Sequence, residues 1–477
     1  MTAQQASPDA YTSLDLFAGA GGFTLGLREV GFRCLGAIEI DPVAAATLGS
    51  NFGERPCSLL GPEVGDLRDI NSRTLKSRIR RAGAPELDLL VAGPPCQGFS
   101  RVGRGKLDSM RSGRGSFADD SRNDLYEQAI RILRALRPRT FVFENVSGML
   151  HLRGRNIAED VCDAVTHAGY VARCTLLNAA WYGVPQTRER VFIIAARQDL
   201  GVEPVFPPRR FRPHLSRGHL SEAELDRRNW RNPEFFVDPR SLPTVIPADP
   251  AVTVSEALDD LPPFMAHVKA MRNGRRYRSL RTEFHPVPYA HAPRNWFCRK
   301  MRYWNEQLHS PHVTDQFCRW TPRDFQTFAQ MKPGDRYPEA VTIAERLYQE
   351  ALAYYRREGG RRPLRNEFVP PYAVESFPDK WRKLISDAPS WTVTAHLGKD
   401  TYSHIHFDSR QARSITIREA ARLQSFPDAF VFAGNMGDAF RQIGNAVPPL
   451  LAREIGAAIR TVLAQADGIA IDPKIST

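Results

Sequence analysis

The segment Leu89 to Ser100, LLVAGPPCQGFS, places a thiol where nucleophilic chemistry can be built. Its apolar run reads as a buried strand of a parallel sheet. Two prolines stop it, because each lacks an N–H and fixes φ. Cys96 then sits on a rigid turn past a strand's carboxyl end, where open α/β sheets bind ligands. A helix N-terminus or a basic neighbour there would make it a thiolate nucleophile. A small buried cysteine is the alternative. Glu144 ends a second apolar run, RTFVFENV, beside the expected place of Cys96. Desolvation there raises a carboxyl toward a useful acid–base range. A cap on the next segment is the plainer role. Arg188 and Arg190, in VPQTRER, are two apart and point the same way on an extended segment. Such a guanidinium holds a carbonyl or phosphate oxygen in fixed geometry, unless it makes only a surface salt bridge.

The elements that position these groups alternate strand and helix. Ser13 to Ala18 is a strand, followed by the turn FAGAGG and a helix over Phe23 to Val30. Gly19, Gly21 and Gly22 let the backbone turn tightly against a ligand. The second strand, FRCLGAIEI, ends in Glu39 and Asp41, an acid about 20 residues after the glycines, as in dinucleotide sites where it takes a ribose diol. This pattern does not separate NAD from S-adenosylmethionine. Phe17 offers a flat face for adenine or fills the core. Asp66 and Asp69 lie where a third strand would end, and Arg73 to Arg81 reads as an exposed helix face. Arg101 to Arg122 lacks apolar periodicity and reads as a long functional loop. Its arginines suit phosphates, with a solvated insertion as the alternative. Helices over 123–136 and 156–168 and strands VARCTLLNA and RVFIIAA complete the pattern.

At 477 residues the chain predicts two domains, and 42% hydrophobic content excludes a disordered chain. A net charge of +12 suits a polyanionic partner. Seven scattered cysteines imply reduced thiols in a cytosol. No signal peptide or membrane-length apolar run is present. After Arg197 proline-rich stretches end the α/β pattern, and the chain reads as irregular to about Ala395. There RRFR, RRYRSLR, RNWFCRKMRYW and RREGGRR mix arginines with aromatics, which suits phosphates and bases. The spacings of His285, His291, Cys298, His309, His312 and Cys318 match no zinc pattern, so no metal is expected. TIREAARLQSFPDAF reads as an amphipathic helix, and Pro448 and Pro449 suit the first turn of a last apolar helix.

Taken together, these segments resemble the DNA cytosine-5 methyltransferase family. DLFAGAGG and the EID of 39–41 resemble its cofactor motifs, and GPPCQGFS its nucleophile motif. ENV at 144–146 resembles its glutamate motif, QTRER at 186–190 its arginine motif, and REAARLQSFPDAF and QIGNAVPP its closing motifs. The matches cover 1–197 and 390–465 in the family's order.

The resemblance implies an α/β, Rossmann-like, S-adenosylmethionine-dependent methyltransferase fold with a mostly parallel sheet. Catalytic domain is expected at 1–197 and 396–477, with a smaller irregular target-recognition domain at 198–395. It implies that Cys96 attacks cytosine C6, Glu144 holds N3, and Arg188 or Arg190 holds the O2 side. It implies cofactor contacts at Phe17, Ala18, Gly19, Gly21, Glu39, Ile40, Asp66, Leu67, Pro94, Asn445 and Val447. Ile40 stands where the family often has an aromatic, which weakens adenine stacking. DNA contacts are implied at Gln97, Ser100, Arg101 and Arg104, within a loop that closes over the duplex. The implied partner is double-stranded DNA, with base flipping. The expected setting is restriction-modification with a cognate endonuclease, in a cytoplasmic, nucleoid-associated monomer of a prokaryote. An orphan regulatory enzyme and an RNA cytosine-5 methyltransferase are the alternatives. Intact Cys96, Glu144 and Arg188 argue against an inactive DNA-binding homologue, and PPCQ and ENV have no role in an NAD oxidoreductase.

Overall fold

The computed structural model describes residues 10–53, 65–95, 125–152, 155–212, 230–272, 285–374 and 380–469. Cys96, Gln97, Ser100, Arg101, Arg104 and the loop to Arg122 lie outside the described residues.

The chain forms two compact units, Met1–Ala251 with Ala446–Thr477, and Val252–Asn445. These bounds differ from the expected ones at 197/198 and 395/396. Residues 198–251 stay with the first unit because side chains tie them there. Thr175 Oγ1 donates to Val237 O at 2.6 Å, Tyr182 Oη donates to Pro207 O at 3.1 Å, and Phe236 is fully buried in the core.

The first unit is built on a six-stranded sheet: β1 (Thr12–Leu16), β2 (Arg33–Ile38), β3 (Leu89–Ala92), β4 (Thr140–Val146), β5 (Tyr170–Asn178) and β6 (Glu189–Arg197). Its order is β2-β1-β3-β4-β6-β5. The pairs β1–β2, β1–β3 and β3–β4 are parallel, and β6 runs antiparallel to both β4 and β5. The expected mostly parallel sheet is therefore present. Every residue of β1 and β3 is buried, as strands covered on both faces require.

Among the described residues five helices connect the strands: α1 (Gly22–Glu29), α2 (Pro42–Phe52), α3 (Ser72–Arg81), α4 (Leu125–Leu136) and α5 (Ile157–Thr166). Leu75 and Ile79 of α3, Ile132 and Leu133 of α4 and Val161 of α5 share one core with Leu14, Leu16, Leu90, Phe141 and Phe143. The C-terminal helix α6 (Pro449–Ala466) returns to pack on α1. That contact is backbone-close. A Cβ on Gly26 would lie 2.5 Å from Pro449 O, and one on Gly456 would lie 2.8 Å from Val30.

The second unit corrects the reading of 198–395 as irregular. Tyr337–Glu358 is a 22-residue helix, started by Pro338 and ended at Gly359. Its buried positions include two small alanines, Ala340 and Ala344, so its apolar stripe is faint in sequence. The helix read in TIREAARLQSFPDAF spans Ile417–Leu423, with Thr416 and Glu419 forming a capping box. It is not amphipathic in the expected sense, because all seven of its residues are buried. Arg422 is paired with Asp260 and Asp428, and Arg418 donates to Pro427 O and Phe430 O, so the buried guanidinium groups meet carboxylates and carbonyls.

Candidate active site

Four strands of the first unit are in register toward their carboxyl ends. Ile38, Leu16, Ala92 and Phe143 are register partners across β2, β1, β3 and β4. The next residues, Glu39, Phe17, Gly93 and Glu144, therefore line up across about 14 Å or three strand spacings, with β4 alone running on to Val146. β1 pairs with β2 on one side and β3 on the other, which makes this the switch point where such sheets bind ligands.

On the β1–β2 side the turn is left-handed at three residues. Phe17, Gly19 and Gly21 have φ of 59°, 56° and 86°. Space also requires Gly21, since a Cβ there would lie 2.5 Å from the Phe52 ring. A Cβ on Gly19 would meet nothing within 4 Å, so the turn faces open space. Ala18 N donates to Ile38 O at 3.0 Å. Gly19 N donates to Glu39 Oε2 at 2.7 Å, and Asp41 N donates to Oε1 at 2.8 Å. Burial raises the Glu39 carboxyl, and these two backbone donors oppose the rise. The side chain is fixed at the mouth of the glycine turn, while Ile40 beside it is 54% exposed. Asp41 accepts from Val43 N at 2.9 Å and caps α2.

Gly65 N donates to Glu39 O at 3.0 Å, which brings Asp66 to the same edge. Both Asp66 oxygens are taken by Arg68, which holds the carboxyl below its usual range. Leu67 is buried in the core, and its carbonyl accepts from Arg131 at 2.7 Å. Val447 is half-buried in the first unit; Asn445 is the exposed last residue of a helix in the second.

On the β3–β4 side, Gly93 N donates to Leu16 O at 3.3 Å and the chain turns into Pro94 and Pro95. Asn145 Nδ2 donates to Pro94 O at 3.2 Å, and its Oδ1 accepts from Val146 N at 2.8 Å. Glu144 is 9% exposed. Its Oε1 lies 3.2 Å from Arg190 Nε, a diagonal neighbour, because Val146 faces Arg190 in the register of β4 and β6. Burial raises the Glu144 carboxyl, while Arg190 first and Arg188 second pull it back. Among the described residues Glu144 Oε1 has an ion-pair partner but no hydrogen-bond donor. A buried oxygen in that state favours a proton or a donor from a ligand. Arg188 is buried, its N–H bound to Gln186 O and its carbonyl to Ala179 N.

Two residues at this edge escaped the sequence reading. Asn145 looks like any strand-end asparagine, and only the register shows that it reaches Pro94. Asp15 had a signal, a carboxylate inside a fully buried strand. It accepts from Thr24 Oγ1 at 2.8 Å, and burial pushes it up to about 7, with Glu39 adding to the rise.

Residues 11–461 match the family model described as C-5 cytosine-specific DNA methylase. A type II methyltransferase of Oceanobacillus iheyensis is 37% identical over 94% of this chain and 95% of that one. A type II methyltransferase of Thalassovita gelatinovora is 31% identical over 94% and 99%. In fold, the chain is similar to a prophage-encoded DNA modification methyltransferase of E. coli, with a TM-score of 0.61, 22% identity and coverage of 95% and 99%.

Proposed function

The chain belongs to the C-5 cytosine-specific DNA methylase family and is a DNA cytosine-5 methyltransferase, and from this premise we propose how its residues carry out the transfer. S-adenosylmethionine is the donor we assign, supplying a methyl on a sulfonium. The β1–β2 edge fits it. Glu39, fixed by Gly19 N and Asp41 N, would take the ribose hydroxyls. The open turn at Gly19 gives the backbone close approach, and Ile40 and Phe17 would flank the adenine.

Cytosine C5 is a poor nucleophile, so this chain's residues must raise its electron density. The Cys96 thiolate adds to C6 and forms a C–S bond. The π pair of C5–C6 moves to C4–C5, and the C4–N3 π pair moves onto N3, which takes a proton from Glu144. Arg188 and Arg190 hold the O2 side and set the Glu144 carboxyl. C5 then bonds to the methyl carbon as that carbon's bond to the donor sulfur breaks, the electron pair leaving on sulfur as a neutral thioether. A base removes the C5 proton, its pair re-forms C5–C6, the C–S bond breaks to return the thiolate, and N3 gives its proton back to Glu144. The base must leave the duplex to reach a buried carboxyl, hence base flipping.

One observation carries this reading. Among the described residues the buried Glu144 Oε1 meets Arg190 but no hydrogen-bond donor, and the next residue, Asn145, holds the carbonyl of Pro94, two residues before Cys96 in sequence. The second unit is assigned to target recognition. Relatives named type II methyltransferases support a restriction-modification setting with a cognate endonuclease in a prokaryotic cell. The test is a duplex with 5-fluorocytosine at the target. With no C5 proton to lose, the adduct cannot resolve, and mass spectrometry should find the methylated base on the Cys96 peptide. Full turnover without a trapped species would overturn the mechanism.

A further inference from the structure

The exposed face of α3 carries charges that neither folding nor the catalytic edge explains. Ser72–Arg81, SRTLKSRIRR, holds Arg73, Lys76, Arg78, Arg80 and Arg81 and no acid. Leu75 and Ile79 point into the core, which turns Arg73, Lys76, Ser77, Arg80 and Arg81 to one surface groove. Among the described residues no carboxylate pairs with Arg73, Lys76, Arg80 or Arg81. By contrast Arg68 on the preceding segment is paired with Asp66, and the half-buried Arg139 with Asp88 and Asp467.

Local stability does not account for the cluster. Arginines in the last turn complement the helix dipole, which covers Arg78, Arg80 and Arg81. Arg73 and Lys76 sit toward the positive end, where a cation is disfavoured. Arg73 and Lys76 are three apart and Lys76 and Arg80 four apart, so each faces a like charge on the helix surface. An anion from outside the chain removes both penalties. We infer that this face of α3 binds the phosphate backbone of duplex DNA outside the target site, as a second, sequence-independent contact. The inference rests on the proposed function, which makes a long DNA duplex the substrate. Arginine and lysine in a row along one groove match a phosphate chain and read no bases.

The experiment uses the full chain and the triple variant Arg73→Gln, Lys76→Gln, Arg80→Gln, all on exposed or half-exposed positions. The probes are duplexes centred on the methylated site found by bisulfite sequencing, one of about 15 bp and one of about 45 bp, roughly one and a half and four and a half helical turns. The variant should bind the long duplex about 10-fold more weakly at low salt, with a salt slope shallower by about 0.9 per lost contact. Its affinity for the short duplex and its transfer rate at saturating DNA should equal the wild type's. Equal affinity of both proteins for the long duplex, or equal weakening on both lengths, would overturn the inference. A wild type that methylates and binds neither duplex would instead overturn the functional reading, and this inference with it.

Discussion

The side-chain amide of Asn145 donates to the carbonyl oxygen of Pro94, 3.2 Å away. The contact joins two strand ends. Asn145 follows Glu144 directly, and Pro94 precedes Cys96 by two residues. One buried amide thus ties the residues that lead to Cys96, the proposed nucleophile, to the strand that carries Glu144, the proposed acid.

Asn145→Ala should remove that tie and leave Pro94 O without its donor. The transfer step should slow by about 10- to 100-fold, the loss typical of misplaced reacting groups. Affinity for S-adenosylmethionine should be unchanged, because Glu39 and the glycine turn are untouched. Single-turnover methyl transfer beside equilibrium donor binding checks this. Parallel loss of both would mean general unfolding.

Arg190→Gln should act through Glu144. Arg190 is the larger of the two charges that pull the Glu144 carboxyl down against burial. Without it the carboxyl rises further, so Glu144 keeps its proton to higher pH. The pH at which the transfer rate falls for want of a protonated carboxyl should move upward as the maximal rate drops. An unmoved profile would separate Arg190 from Glu144.

Glu144→Gln should lower the transfer rate by orders of magnitude with donor affinity kept, since proton transfer to N3 is lost. The amide holds the shape of the side chain, so thermal stability should not fall. A rate near that of wild type would remove Glu144 from the mechanism.

Asp15 makes stability depend on pH in a defined direction. Its folded carboxyl titrates at about 7 against an ordinary 3.8. The native state therefore binds a proton that the unfolded chain has released, and stability falls as pH rises from about 4 to about 7. The penalty at pH 8 is about 4 kcal/mol, and Asp15→Asn should remove most of it. The melting-temperature gain of Asp15→Asn should be larger at pH 8 than at pH 5. A gain independent of pH would contradict the buried acid.

Gly444→Ala should destabilise the second unit, because a Cβ at Gly444 would lie 2.1 Å from the Thr394 carbonyl carbon. Backbone there cannot give way as a flexible side chain would, so the cost is at the upper end of about 1–3 kcal/mol. Thermal unfolding of the full chain measures it, and an unchanged melting curve would rule the contact out.

Strands β1 to β4 were legible because they are short apolar runs stopped by glycine, proline or acid. Leu16, Ala92 and Phe143 end such runs, and their alignment follows from parallel pairing. Diagonal and long-range contacts were not legible. Arg190 reaches Glu144 only through the antiparallel register of β6, and two arginines two apart gave no way to tell which makes the pair. The unit boundaries shifted for a related reason. Pro207 and Val237 look like linker in sequence but carry carbonyls that bind Tyr182 and Thr175. The helix Tyr337–Glu358 was hidden because small alanines mark its buried stripe.

In the proposed mechanism Cys96 attacks a cytosine in DNA and a methyl group arrives on C5. Base-resolution bisulfite sequencing of DNA from cells expressing the wild type and Cys96→Ser tests it most directly. The account predicts protected cytosines confined to one short motif with the wild type and none with Cys96→Ser. Protection of the same motif by Cys96→Ser would contradict it.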